Sequence, residues 1–180
     1  VTSRRFALDD LAATQALAGA LARALVAVAT PPFVIDLRGP LGAGKTAFVR
    51  ALALALGVPP GTRVVSPTFT LQRSYPLQAG PFGWLHHLDA YRLAGPDDLE
   101  AIGFEERMEE PALICVEWGD RVALALGEDR LLLELAPRTG GAASPAAAAD
   151  PADAPRELCA MATGPRAAAL LAAWPEAVAR

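Results

Sequence analysis

Eight consecutive residues, Gly39-Pro40-Leu41-Gly42-Ala43-Gly44-Lys45-Thr46, fit GxxxxGK[ST] at every fixed position. These residue types suit one kind of chemistry. Glycines let successive backbone N–H groups point inward around an anion. A helix beginning at the lysine adds partial positive charge at the same place. Lys45 is the only lysine of the chain, in which the other strong bases are all arginine. A compact ammonium on a flexible stem enters a tight phosphate cradle where a planar guanidinium fits poorly. Thr46 can set its hydroxyl on a magnesium ion that bridges phosphate oxygens. The candidate nucleotide-binding positions run over Gly39, Pro40, Leu41, Gly42, Ala43, Gly44, Lys45, Thr46 and Ala47.

A magnesium-bound triphosphate also calls for acidic residues. Glu117 ends the apolar run "ALICVE", at the strand edge where open α/β sheets take ligands, and is assigned to the metal. Asp89 ends "WLHHLD"; its pattern fits a second metal-side acid and also a solvated surface acid. Lys45, Asp89 and Glu117 form the candidate catalytic set, and Thr46, Asp89 and Glu117 the candidate Mg²⁺ set. "SPTFT" (residues 66–70) comes after the loop's helix, where the hydroxyls of Ser66 and Thr68 could touch phosphate or a metal-bound water. The same letters suit a Ser-Pro turn entering a strand. His86 and His87 are adjacent, so on a strand they face opposite ways, and they lack metal-ligand spacing. One of them is expected to be packed or solvated.

These groups need a frame. "FVIDL" (33–37) reads as a buried strand leading into the loop, and "TAFVRALALAL" as the helix leaving it, stopped by Gly57 and Pro59-Pro60. That is the start of a βαβ unit. "TFTLQRSYPL" (68–77) and "GWLHHLD" (83–89) read as an antiparallel hairpin around Gly80-Pro81. A short helix is expected over 96–100, a second buried strand over 112–118, and further strands over 130–136 and 156–162. A helix over 166–174 closes the chain. The expected fold is α/β: a single-domain P-loop NTPase spanning 1–180, with a central, mostly parallel sheet, flanking helices and an antiparallel hairpin. Residues 139–154, rich in Pro, Ala and Gly, are expected to form a flexible surface loop.

Composition limits the function classes. With 53% hydrophobic and 20% charged residues the chain reads as globular. Its net charge of -4 argues against direct nucleic-acid binding by this chain alone. Cys115 and Cys159 make neither a metal pair nor a CxxC motif. "SRRF" near the N-terminus faintly resembles a twin-arginine export signal, but Asp9 and Asp10 interrupt the apolar run such a signal requires. The stretch 9–28 is read as an amphipathic helix capped by Asp9 or Asp10, and the protein is expected to be cytoplasmic, with no membrane association. The chain has no asparagine and no spare lysine for an Asn-Lys-x-Asp guanine motif, so ATP is the expected nucleotide.

Taken in order and spacing, "LRGPLGAGKTAFVRALALALGV", "SPTFTLQRSY", "HLDAYRL" and "VEWGDR" resemble the TsaE (YjeE) family. The resemblance covers about 7–118, and "RELCAMATGPR" is similar to that family's last strand. It implies an ATPase serving tRNA threonylcarbamoyladenosine biosynthesis, with ATP and Mg²⁺ as cofactors and TsaD and TsaB-like proteins as partners. In that family TsaD carries out the transfer to adenosine 37, and tRNA is met mainly through the complex. The resemblance places Ser66 and Thr68 in a switch-like loop and Tyr91, Arg92 and Trp118 at a partner or switch surface. It also places the adenine near Thr14. Pro40 departs from the family's usual Asp, and 139–154 looks like an insertion. Two other readings remain: a P-loop small-molecule kinase, whose arginine lid Arg121 and Arg130 are too scattered to make, and a nucleotide-sensing binding protein.

Overall fold

A computed structural model of the chain describes residues 2–138 and 154–175. The expected loop over 139–154 therefore lies outside the described residues, apart from Ala154. Seven strands form one sheet in the order β1-β7-β6-β2-β5-β4-β3. They are β1 (Ser3–Leu8), β2 (Phe33–Arg38), β3 (Gln72–Pro76), β4 (Trp84–Asp89), β5 (Ala112–Glu117), β6 (Leu131–Pro137) and β7 (Arg156–Ala162). The central strands β6, β2, β5 and β4 run parallel. The β3–β4 hairpin is antiparallel, as expected, and β7 and β1 add an antiparallel extension at the other edge. The helices are α1 (Leu11–Val28), α2 (Lys45–Ala55), α3 (Asp97–Ala101), α4 (Phe104–Met108) and α5 (Pro165–Ala173).

Strand periodicity sorts the core into two layers. On β2, Phe33, Ile35 and Leu37 pack with α1, α2 and α5, while Val34 joins Leu99 of α3 and Phe104 of α4 on the opposite face. The Asp10 side chain caps α1 by accepting from the Ala13 N–H at 2.7 Å. By length and composition α1 is apolar enough to cross a membrane. Here Leu17, Leu21 and Leu25 lie four residues apart and bury one stripe of it in the core, each at most 1% exposed. Such burial stabilises by about 2 kcal/mol per leucine.

One expectation changes, and one strand is new. Residues 68–71 are not strand: Thr70 and Leu71 N–H groups both donate to the Pro67 carbonyl, so SPTFT is a turn and β3 begins only at Gln72. The N-terminal "SRRF" is strand β1, paired with β7, and Phe6 packs on Trp174 with ring centroids 4.8 Å apart. Cys115 is buried, and burial, with Glu117 nearby, pushes its thiol well up.

One charged group sits inside the fold, away from the phosphate loop. Asp36 on β2 is fully buried and accepts from Arg38 Nη2 at 2.8 Å and Arg130 Nε at 3.2 Å. Gly119 packs so closely that a β-carbon there would meet Asp36 Oδ1 at 2.1 Å. Removing the carboxylate leaves two partly buried arginines without their shared counter-charge. Asp36→Ala should therefore lower the unfolding free energy by about 3 kcal/mol, read from urea denaturation; an unchanged midpoint would show that the pair adds nothing net.

Candidate functional site

The phosphate loop lies between β2 and α2, as expected. Gly44 takes φ +98° at the cap of α2. Gly39 has φ +131°, and a β-carbon on it would stand 2.1 Å from the Leu135 carbonyl oxygen of β6, so no other residue fits there. Pro40 is accounted for by its carbonyl. That oxygen accepts from Ala43 N at 3.1 Å and from Lys45 Nζ at 3.0 Å, neither of which needs the N–H that proline lacks. Lys45 Nζ also donates to the Gly39 carbonyl at 2.7 Å and sits 3.9 Å from the Trp118 ring centroid. Burial holds the Lys45 ammonium below its ordinary value, against the pull of Glu117, Asp89 and Asp120.

Strand register assembles the acidic wall. In the parallel pairs, Leu37 of β2 faces Glu117 of β5, and Glu117 faces Asp89 of β4. Both carboxylates thus end their strands side by side, on the face that α2 covers. Glu117 Oε1 accepts from Thr46 Oγ1 at 2.7 Å, which ties the loop's threonine to the acid. Asp89 accepts from Thr68 Oγ1 at 2.5 Å and from the Tyr91 N–H at 2.9 Å, and Ser66 Oγ lies 2.6 Å from Thr68 Oγ1. Both acids are 3% exposed, which removes the reading of Asp89 as a solvated surface acid. Leu41 through Ala47, Ser66, Thr68, Asp89, Glu117 and Trp118 line one cleft of about 210 Å³.

The switch candidates form an aromatic chain beside this cleft. Trp118 takes φ +58°, rare for a bulky side chain, with its N–H donating to the Leu37 carbonyl at 2.9 Å. Its ring lies 5.1 Å from Tyr91, and the Arg121 guanidinium lies 5.5 Å from the Tyr91 ring. Arg92 sits 4.9 Å from the ring of Phe69, which is 85% exposed at the tip of the SPTFT turn. Thr14 is buried, its hydroxyl donates to the Asp10 carbonyl at 3.2 Å, and it does not line the cleft.

Two residues at the site escaped the sequence reading. Both histidines are buried, and His87 Nε2 lies 2.8 Å from Glu117 Oε1. Arg156, at the start of β7, lies against Gly44, where a β-carbon would come within 3.2 Å of its Cδ and Nε. Strand parity offered the one available signal for His87, since it shares a face with Asp89. Nothing local marked Arg156.

The donor set fits magnesium. Thr46, Asp89 and Glu117 present hard oxygens, and Mg²⁺ usually takes one or two carboxylates with phosphate and water completing the shell. Among the described residues no group of three or more His, Cys, Asp or Glu forms an all-protein cage.

Fold and site together define an α/β protein of the P-loop class. The chain belongs to the TsaE family: the model described as "Threonylcarbamoyl adenosine biosynthesis protein TsaE" matches residues 8–142. Curated relatives named tRNA threonylcarbamoyladenosine biosynthesis protein TsaE include that of Treponema pallidum, 41% identical over 57% of this chain and 71% of that protein. The Streptomyces coelicolor protein is 42% identical over 57% and 67%, and the Aquifex aeolicus protein 47% identical over 49% and 59%. The crystal structure of Bacillus subtilis YdiB superposes with a TM-score of 0.70 at 28% identity, covering 96% of this chain and 93% of that one.

A polyphosphate that engages Lys45 must draw Nζ away from the two carbonyls and the indole. Titration with ATP should therefore shift Trp118 emission, with no such shift in Lys45→Ala or Trp118→Phe. A shift that persists in Trp118→Phe would place the reporter at Trp84 or Trp174.

Proposed function

We propose that this protein is a magnesium-dependent ATPase of tRNA threonylcarbamoyladenosine formation, which binds and hydrolyses ATP to reset a TsaB–TsaD transferase complex in the cytoplasm. The observation that carries the reading is the convergence of Lys45, Thr46, Asp89 and Glu117 on one cleft. The names of the relatives support the process, and the resemblance of the SPTFT, HLDAYRL and VEW segments supports the partners.

The loop N–H groups and Lys45 would hold the β- and γ-phosphates and offset the charge that develops on them. Bound magnesium would supply further neutralisation at the phosphate oxygens, held by Thr46, Glu117 and Asp89. Water attacks the γ-phosphorus in line with the β–γ bridging oxygen, and breaking that P–O bond yields ADP and phosphate. Thr68, bonded to Asp89, connects the site to the exposed Phe69 turn, so loss of the γ-phosphate would alter what that turn offers a partner. tRNA is met through the partners, in keeping with the acidic net charge.

The kinase reading has less support. Arg130 is tied to Asp36, and Arg121 donates to the Leu93 carbonyl at 3.2 Å, so neither is set in a lid over the loop. Phosphate release should rise when TsaB and TsaD are added, with no phosphorylated small molecule formed; transfer of phosphate to a metabolite would sink the proposal. Lys45→Ala should abolish ATP binding. Glu117→Ala should lower Mg²⁺-dependent turnover by about a hundredfold with a much smaller change in nucleotide affinity, and equal loss of both would remove the metal role.

A further inference from the structure

We propose that His87 is a positioning residue for Glu117, and that its Nε2–H group fixes the carboxylate in the rotamer that receives Thr46 and the nucleotide's cation. The inference rests on the nucleotide and magnesium reading above and assigns a task to a residue that reading leaves unused.

Several observations point to it. His87 is fully buried on β4, and its register partner on β5 is Cys115, two residues before the Asp89–Glu117 pair and on the same face. From there Nε2 reaches Glu117 Oε1 at 2.8 Å. Oε1 also accepts a hydrogen bond from the Thr46 hydroxyl at 2.7 Å, so one donor from α2 and one from β4 fix the same oxygen. No described residue hydrogen-bonds to Oε2, which leaves that oxygen for a cation or its water. Nδ1, on the far side of the ring, is buried with no partner among the described residues. A buried polar atom without a partner is unfavourable, so packing alone would favour an apolar side chain here.

His86 supplies the internal comparison. It points to the other face, and both its nitrogens are matched: Nδ1 to Ser74 Oγ at 2.8 Å and Nε2 to Glu110 Oε2 at 3.1 Å. That is a histidine satisfied by its surroundings, and it touches none of the cleft residues. His87 is matched only toward Glu117. The proton between them resides on Nε2, because a carboxylate oxygen accepts it. Groups that hydrogen-bond a metal-binding carboxylate set its orientation, and their loss weakens metal affinity by about 10- to 100-fold.

Three variants of the full chain test the assignment. His87→Gln sets an amide N–H near the Nε2 position, whereas His87→Asn sets it near Nδ1, out of reach of Glu117; His87→Leu removes the donor. A fluorescent ATP analogue is titrated in EDTA and then against rising Mg²⁺, with thermal unfolding measured in parallel. All variants should bind the metal-free analogue within about twofold of the parent, because the cradle is untouched. The Mg²⁺ midpoint should rise by about tenfold or more in His87→Leu and His87→Asn, and His87→Gln should recover most of it. Equal Mg²⁺ midpoints in Gln and Asn variants would overturn the proposal, whatever their melting temperatures. The Gln–Asn comparison decides even if His87→Leu does not fold. Should the parent bind no ATP analogue, both this proposal and the functional reading end. A parent with normal Mg²⁺-dependent binding and unaffected variants ends this one alone.

Discussion

The cleft depends on three parallel strands that end level with one another. Leu37, Glu117 and Asp89 stand abreast on β2, β5 and β4, and the ladder of main-chain hydrogen bonds holds that register. A slip of one residue in either pair would turn a carboxylate onto the opposite face, because side chains alternate along a strand. The loop rises from the end of β2, so the same register decides how far Thr46 stands from Glu117. The Trp118 N–H continues the ladder to the Leu37 carbonyl and directs the chain after β5 back over Lys45. Phosphate cradle, acidic wall and aromatic chain are thus consequences of one set of strand pairings.

The two faces of the sheet divide the work. The face under α1, α2 and α5 carries the apolar bulk and, at its rim, His87, Asp89 and Glu117. The other face holds a smaller apolar cluster and the buried Asp36 with its two arginines. That ion group packs beneath Gly119, directly after Trp118, and so braces the turn that gives Trp118 its left-handed backbone. The polar group on one face therefore supports the geometry of the site on the other.

Lysine and arginine occupy different kinds of place in this chain. Lys45 sits in a narrow loop whose main-chain carbonyls and one aromatic ring surround a single ammonium. Arg38, Arg130 and Arg107 instead pair with carboxylates, where a planar fork with several donors is useful. Pro40 belongs to the same picture, since the loop uses its carbonyl oxygen, which every residue type has.

The sequence by itself determined the local elements and the chemistry they could carry. The loop pattern, the lone lysine, the apolar runs ending in acids and a helix cap at Asp9 or Asp10 were all legible, because each depends on neighbours within a few residues. The alternation of polar and apolar letters in "TFTLQRSYPL" puts the start of a strand at Thr68, whereas the Pro67 carbonyl draws residues 68–71 into a turn and the strand begins at Gln72. Tertiary structure alone decided which side chains meet. That Asp89 lies beside Glu117, that Thr68 bonds Asp89, that Arg156 lies against Gly44 and that His87, of the two oppositely facing histidines, is the one that meets Glu117 follow from contacts between segments far apart in the chain. Those distances are set by sheet register and by which face a helix covers, and no local pattern encodes either.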